Sequence, residues 1–237
     1  MNKRIPLTLA AAVLAATGTV TAQAAGLSGK LSGNIGLTNN YLFRGVTQTS
    51  DQAAVQGGLD YEHDSGFYAG TWLSNVGSGA GALYTAGNPG NFEQDWYGGY
   101  GFAAGGVDLD VGVILYTYPV GPGKFDYAEL YVNGSWEWLT GGIAYTFDKE
   151  DSAADTGDLY IYVSGELEAK NGLGYGFTLG RYDFKGGSAA DYTHFRLYMD
   201  KNDFTVALEK NNADEAAWFT GVDDLRFTVS WSKSFEL

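Results

Sequence analysis

Residues 225–237 alternate in character almost without interruption. Leu225, Phe227, Val229, Trp231, Phe235 and Leu237 fall on one side, and Arg226, Thr228, Ser230, Ser232, Ser234 and Glu236 fall on the other. Lys233 alone breaks the apolar set. Successive side chains of a strand point to opposite faces, so this pattern predicts a strand with one apolar and one polar face. A soluble sandwich seldom stops on such a strand with no trailing residue. The last strand of an outer-membrane barrel does, because it closes against the first. The expectation is therefore an all-β, antiparallel, up-and-down transmembrane barrel in a Gram-negative outer membrane.

The other end of the chain agrees. Lys3 and Arg4 precede an Ala-rich apolar run over 5–20, and Ala22-Gln23-Ala24 offers a small-x-small cleavage site. This predicts a signal peptide over 1–24, with 25–237 left as a single barrel domain. The run is too short and too rich in Ala to serve as a helical anchor. No later stretch is apolar enough to cross as a helix. A mean hydropathy of -0.16 suits a barrel, in which only every second strand residue meets lipid.

Composition excludes several functions. The chain has no cysteine, and so no disulfide, thiol chemistry or Cys-bound zinc. The net charge of -14 becomes -16 once Lys3 and Arg4 leave with the leader. That argues against nucleic acid and for a surface or lumen that attracts cations. The expected partners are outer-membrane lipid and lipopolysaccharide outside, and small solutes or ions inside. No cofactor is called for.

Twelve amphipathic strands are predicted, over 27–41, 53–61, 66–75, 95–103, 107–116, 125–137, 139–147, 158–167, 173–183, 191–200, 204–211 and 225–237. Connections after odd-numbered strands are long (42–52, 76–94, 117–124, 148–157, 184–190 and 212–224), and those after even-numbered strands are short. Such alternation is what outer loops and tight periplasmic turns require. Tyr41, Phe43, Trp96, Tyr116, Tyr118, Trp136, Trp138, Tyr145, Phe147 and Tyr182 lie near strand ends and are expected to form interfacial aromatic belts. Glycines within the strands are read as relief of crowding in a small curved barrel, or as neighbours of an aromatic ring.

The stretch Asn40-Tyr41-Leu42-Phe43-Arg44-Gly45-Val46-Thr47-Gln48-Thr49 continues into Gln56-Gly57-Gly58-Leu59-Asp60-Tyr61-Glu62-His63 and then Gly66-Phe67-Tyr68-Ala69-Gly70-Thr71-Trp72-Leu73-Ser74-Asn75-Val76. It resembles the TorF-type porin family of small proteobacterial exported proteins. The resemblance is specific over residues 27–76 and general elsewhere. It implies an outer-membrane protein with a pore.

Candidate site residues follow from strand parity. Arg44 and Gln48 sit where the first strand enters its outer loop. They are read either as a charged filter with a hydrogen-bonding partner, or as structural groups, with Arg44 pairing a lumen carboxylate such as Asp60. Lumen faces also offer Asp60, Asp108, Asp110, Glu129, Arg181, His194, Arg196 and Asp200 as pore-lining or constriction groups. In a transverse field, Arg44, Arg181 and Arg196 would face Asp60, Asp110 and Asp200. Excess carboxylates favour cations. They also suit a cross-braced, plugged interior. His194 lacks a nucleophile elbow and a serine partner, so catalysis is not expected. The acidic loop Asp148, Glu150, Asp151, Asp155 and Asp158 could hold Ca²⁺ through its carboxylates, but it lacks EF-hand spacing and reads instead as a solvated loop that shares divalent ions with lipid headgroups. The expected function is passive diffusion of small hydrophilic solutes or ions with weak cation preference. The alternative is a non-conducting barrel that acts through its outer loops.

Overall fold

A computed structural model describes residues 28–77, 91–120, 125–151, 155–186 and 190–237. The signal-peptide call, most of the 76–94 loop and part of the acidic loop lie outside them.

Strand β1 (Gly29–Thr38) leads into a short hairpin, β2 (Leu42–Phe43) and β3 (Val46–Thr47). Then follow β4 (Ala54–His63), β5 (Phe67–Asn75), β6 (Phe92–Ala104), β7 (Val107–Thr117), β8 (Tyr127–Trp136) and β9 (Leu139–Lys149). The chain finishes with β10 (Leu159–Glu168), β11 (Gly174–Asp183), β12 (Tyr192–Lys201), β13 (Phe204–Asn211) and β14 (Arg226–Glu236). All but β2 and β3 join one closed antiparallel barrel of 12 strands. β14 pairs β1 from Ser32↔Glu236 to Thr38↔Ser230, so the alternating terminal strand does close the wall. Closure leaves no unpaired edge, the condition for a sheet to cross a membrane.

Period-2 patterning produces this wall directly. Ile35, Leu37, Val55, Leu59, Val113, Leu115, Leu130, Val132, Ile143, Ile161, Leu179, Leu197 and Phe227 all stand exposed on the outside. An apolar surface that encircles the molecule is far larger than a water-soluble protein carries. The opposite parity holds the buried and half-buried polar residues.

Tight turns close one end of the barrel. Asn202 and Asp203, with φ 51° and 68°, make one such turn, using residue types that tolerate the left-handed region. The described parts of the long connections lie at the other end.

The inner wall is built from tyrosine laid against glycine. Tyr68 stands opposite Gly99, Tyr97 opposite Gly70, Tyr131 opposite Gly112, Tyr162 opposite Gly142 and Tyr198 opposite Gly176. A Cβ on any of these glycines would overlap the facing ring. Each ring therefore lies along the wall over its neighbour's bare backbone. This is the aromatic-neighbour role expected for strand glycines, and it couples five glycines of the wall to five tyrosines.

The aromatic belts need a correction. Trp96, Trp136, Trp138, Tyr145 and Phe147 are exposed on the outside, whereas Tyr41, Phe43, Tyr116, Tyr118 and Tyr182 are buried inside. Tyr41 and Phe43 belong to the segment that joins β1 to β4, and Tyr116 and Tyr182 pack against it, with ring centroids 5.6 Å from Phe43 and 4.9 Å from the Arg44 guanidinium.

Candidate functional site: a hairpin plugged into the lumen

The connection between β1 and β4 turns into the barrel. Tyr41 O accepts from Gln48 N at 2.7 Å, and Leu42↔Thr47 and Phe43↔Val46 pair beneath it. The turn itself is Arg44-Gly45, both at positive φ (49° and 83°), as a two-residue hairpin of the primed kind requires. Arginine in that region is disfavoured by roughly 1–2 kcal/mol. The contacts of its side chain offset the strain.

Three sets of contacts seat the hairpin. At the tip, Arg44 Nη1 and Nη2 donate to Glu129 Oε1 and Oε2 at 2.9 and 2.6 Å, a fork-to-fork pair. The guanidinium also lies 4.1 Å from the Tyr160 ring centroid and 4.9 Å from that of Tyr182. Beside the tip, Gly45 O accepts Asn211 Nδ2 at 2.8 Å. A Cβ on Gly45 would come 2.6 Å from His194 Cβ, so the backbone touches the wall directly. At the rim, Arg226 Nε donates to Asp51 Oδ1 at 2.6 Å, and Asn40 Nδ2 donates to the same carboxylate at 2.7 Å. Gly77 N donates to Gln48 O at 2.8 Å and ties in the loop after β5.

Glu129 is held from the wall as well as from the hairpin. It is 0% exposed and accepts hydroxyls of Tyr116 (3.3 Å), Thr146 (3.3 Å) and Tyr182 (3.4 Å), one each from β7, β9 and β11. The β8–β9 register slips here, from Glu129↔Thr146 to Ala128↔Asp148, leaving Phe147 as the extra residue. A bulge of this kind bends the strand and re-aims side chains. Nearby, Glu93 accepts Tyr41 Oη at 3.2 Å. Glu93 Oε2 and Asp95 Oδ1 are buried with no hydrogen-bond partner among the described residues.

Below the hairpin, towards the short turns, the lumen is lined by tyrosines hydrogen-bonded to carboxylates and amides. Asp60 accepts Tyr97 Oη and Asn34 Nδ2. Asp110 accepts Tyr68 Oη at 2.6 Å and Asn133 Nδ2 at 3.1 Å, and Tyr162 Oη donates to Asn133 at 2.9 Å. Tyr198 donates to Glu166 at 2.8 Å. Arg196 pairs Glu209 at 3.1 Å while its guanidinium lies 4.8 Å from the Tyr198 centroid. Asp108 and Asp200 sit on the same face nearer the turns, half-buried.

Arg44 does pair a lumen carboxylate, but with a different partner, and one placement fails. Arg44 pairs with Glu129 rather than Asp60, because the hairpin reaches across the lumen to β8 while Asp60 is occupied on β4. Arg181 is not in the lumen. Its side chain is 53% exposed on the outer face, where it pairs Asp183 at 2.5 Å and Asp191 at 3.5 Å. Tyr182 takes the inward place beside it, so Arg181 cannot belong to a transverse field. Gln48 is buried and donates to Val46 O at 3.1 Å, a contact inside the hairpin rather than with a solute. In the acidic loop, Asp158 is committed to Lys149 at 2.8 Å.

The amino-acid sequence over residues 22–235 matches a family model described as a bacterial protein of unknown function, Gcw_chp. The chain belongs to that family. No curated protein matches it. Its fold is similar to that of the KdgM porin, with a TM-score of 0.53 at 8% identity over 87% of this chain and 99% of that one. A KdgM porin in complex with disordered oligogalacturonate gives 0.51 at 9% identity over the same shares. At such identity the likeness is one of fold. Within this Gcw_chp barrel, parity alone found the lumen face of most strands. It missed the hairpin's inward turn, the bulge at Glu129 and the stacking of Tyr160 and Tyr182 on Arg44. The one available signal was Arg44-Gly45 between two short apolar-flanked segments, which has the look of a hairpin turn.

Proposed function

We propose that this Gcw_chp protein is an outer-membrane channel for passive diffusion of small hydrophilic solutes or ions, with weak cation preference, and that it reaches that membrane after removal of residues 1–24. The observation that carries the reading is the closed wall itself: apolar all round outside, and lined inside by tyrosine hydroxyls, carboxylates and amides. The TorF-type resemblance over residues 27–76 and the porin-like fold support it. Oligogalacturonate belongs to the KdgM porin; what it suggests for this chain is no more than a small hydrophilic solute. An interior richer in Asp and Glu than in Arg favours cations. Lipid and lipopolysaccharide would cover the apolar band.

His194 supports no catalytic reading. Its ring is hydrogen-bonded through Nε2 to Tyr160 Oη at 2.9 Å and packs against Gly45.

A second reading has one observation in its favour. The hairpin buries Glu129 and its surroundings completely, as expected of a non-conducting barrel that works through its loops. Planar-bilayer recording of the refolded mature chain under a salt gradient separates the two. Discrete current steps with a cation-signed reversal potential support the channel. A folded, heat-modifiable barrel that passes no current supports the second reading.

A further inference from the structure

Glu129 and its neighbours form a receptor built on the barrel wall rather than on the hairpin that fills it. The carboxylate is oriented by three hydroxyls, from Tyr116, Thr146 and Tyr182, all on barrel strands. Tyr160, also on the wall, supplies the ring nearest the guanidinium, at 4.1 Å. From the hairpin come Arg44 itself and Phe43, whose ring centroid lies 4.6 Å from the same guanidinium. The wall thus provides a fixed, planar, two-oxygen acceptor flanked by aromatic faces, and the loop provides the cation. A guanidinium matches both features at once: its fork meets two carboxylate oxygens, and its plane stacks on tyrosine. An ammonium offers neither the fork nor the stacking plane. A second cation in the same lumen sits in similar company, Arg196 between Glu209 and Tyr198.

We infer that the Glu129 cage is a binding site for solutes bearing a guanidinium group, and that Arg44 occupies it as an internal stand-in when the hairpin is seated. The inference rests on the channel reading for its purpose, since a lumen site matters most if solutes pass. The binding itself is independent of conduction. A solute that takes the cage competes with Arg44 and so favours the unseated hairpin, because a ligand shifts a two-state equilibrium by its differential affinity for the states.

The experiment reads hairpin seating by thiol labelling. The native chain has no cysteine, and Val46, 2% exposed on β3, is protected while the hairpin is seated. In a refolded Val46→Cys barrel, the maleimide labelling rate is followed as methylguanidinium is added. Methylammonium and sodium chloride at equal ionic strength are the controls. At about ten times its dissociation constant, methylguanidinium is expected to raise the rate about tenfold, and in proportion to its concentration while the seated form predominates, with less than twofold from either control. In Val46→Cys/Arg44→Ala the sign reverses: labelling is fast without additive, and methylguanidinium slows it by filling the cage beneath the hairpin. Glu129→Gln is expected to remove the dependence in either background.

Equal acceleration by methylguanidinium and methylammonium, or no sign reversal in the Arg44→Ala background, overturns the site. Because labelling needs no current, a barrel that shows the reversal but never conducts keeps the site and loses the channel. One that conducts without the reversal does the opposite.

Discussion

Arg44 and Glu129, 85 residues apart in the chain, meet through two parallel hydrogen bonds inside the barrel. One comes from the β2–β3 hairpin and the other from the wall, so the pair ties the hairpin tip to strand β8 across the lumen. Removing one partner of a buried pair costs about 3–5 kcal/mol when the other must stay buried and charged. That cost falls if the hairpin leaves the lumen and water reaches Glu129.

Arg44→Ala is accordingly expected to unseat the hairpin rather than unfold the barrel. Single-channel recording should show a larger mean current than the wild type, with heat-modifiability on gels retained. An unchanged current from the folded variant would mean that the pair does not hold the lumen shut.

Gly45 is constrained twice, by its φ of 83° and by contact with His194. Gly45→Ala should speed proteolysis within 39–53 of the folded barrel by an amount matching roughly 1–2 kcal/mol of backbone strain plus crowding. Adding His194→Gly, which removes the Cβ that lies 2.6 Å from the new methyl, should recover the crowding share alone. Full recovery would show that the left-handed backbone carries no cost here.

The glycine–tyrosine wall makes a separate claim. Gly176→Ala forces Tyr198 off its place, since the three atoms nearest the added Cβ all belong to that side chain. The expected loss is about 1–3 kcal/mol in denaturant unfolding from detergent. Tyr198→Ala in combination should give less than the sum of the two single losses, by about 0.5–3 kcal/mol. Strict additivity would show that the ring and the glycine do not act as a unit.

Selectivity should follow geometry rather than charge count. Arg181 lies on the outer face, so Arg181→Ala is expected to leave the reversal potential unchanged. Asp60 lies in the lumen beneath the hairpin with Tyr97 and Asn34, and Asp60→Asn should move the potential toward the anion side. Measurement under a fixed salt gradient tests both, and a shift for Arg181→Ala alone would contradict the placement.

Much of the fold was legible because a barrel wall repeats one simple rule. Strand β7, with Asp108, Asp110 and Tyr116 inward and Val113 and Leu115 outward, is the pattern read straight from the residues. Arg181 shows where the rule slips. On β11 the inward set is Gly174, Gly176, Thr178, Gly180 and Tyr182, and three glycines give the polar face too little character to fix its phase. Charge at position 181 therefore pulled the reading the wrong way.

The site was less legible because its parts come together by long-range contact. That Arg44 seeks a carboxylate was readable. That the carboxylate is Glu129 depends on how far the β2–β3 hairpin reaches and on a bulge that adds Phe147 to β9. Neither leaves a periodic trace. The aromatic residues near strand ends were ambiguous for the same reason, since a ring suits a lipid interface and a plugged lumen equally well.

The tyrosines laid over glycines also bear on assembly. Inside-outside alternation forbids a strand from slipping by one residue, but it permits a slip of two, which keeps every face correct. Such a slip between β7 and β8 would set Tyr131 against Asp110 or Ile114 instead of Gly112. Neither leaves room for the ring. Each glycine is thus a keyhole cut for one key. A barrel with a nearly uniform oily exterior can in this way tell its true alignment from a neighbouring false one before the last strand docks on the first.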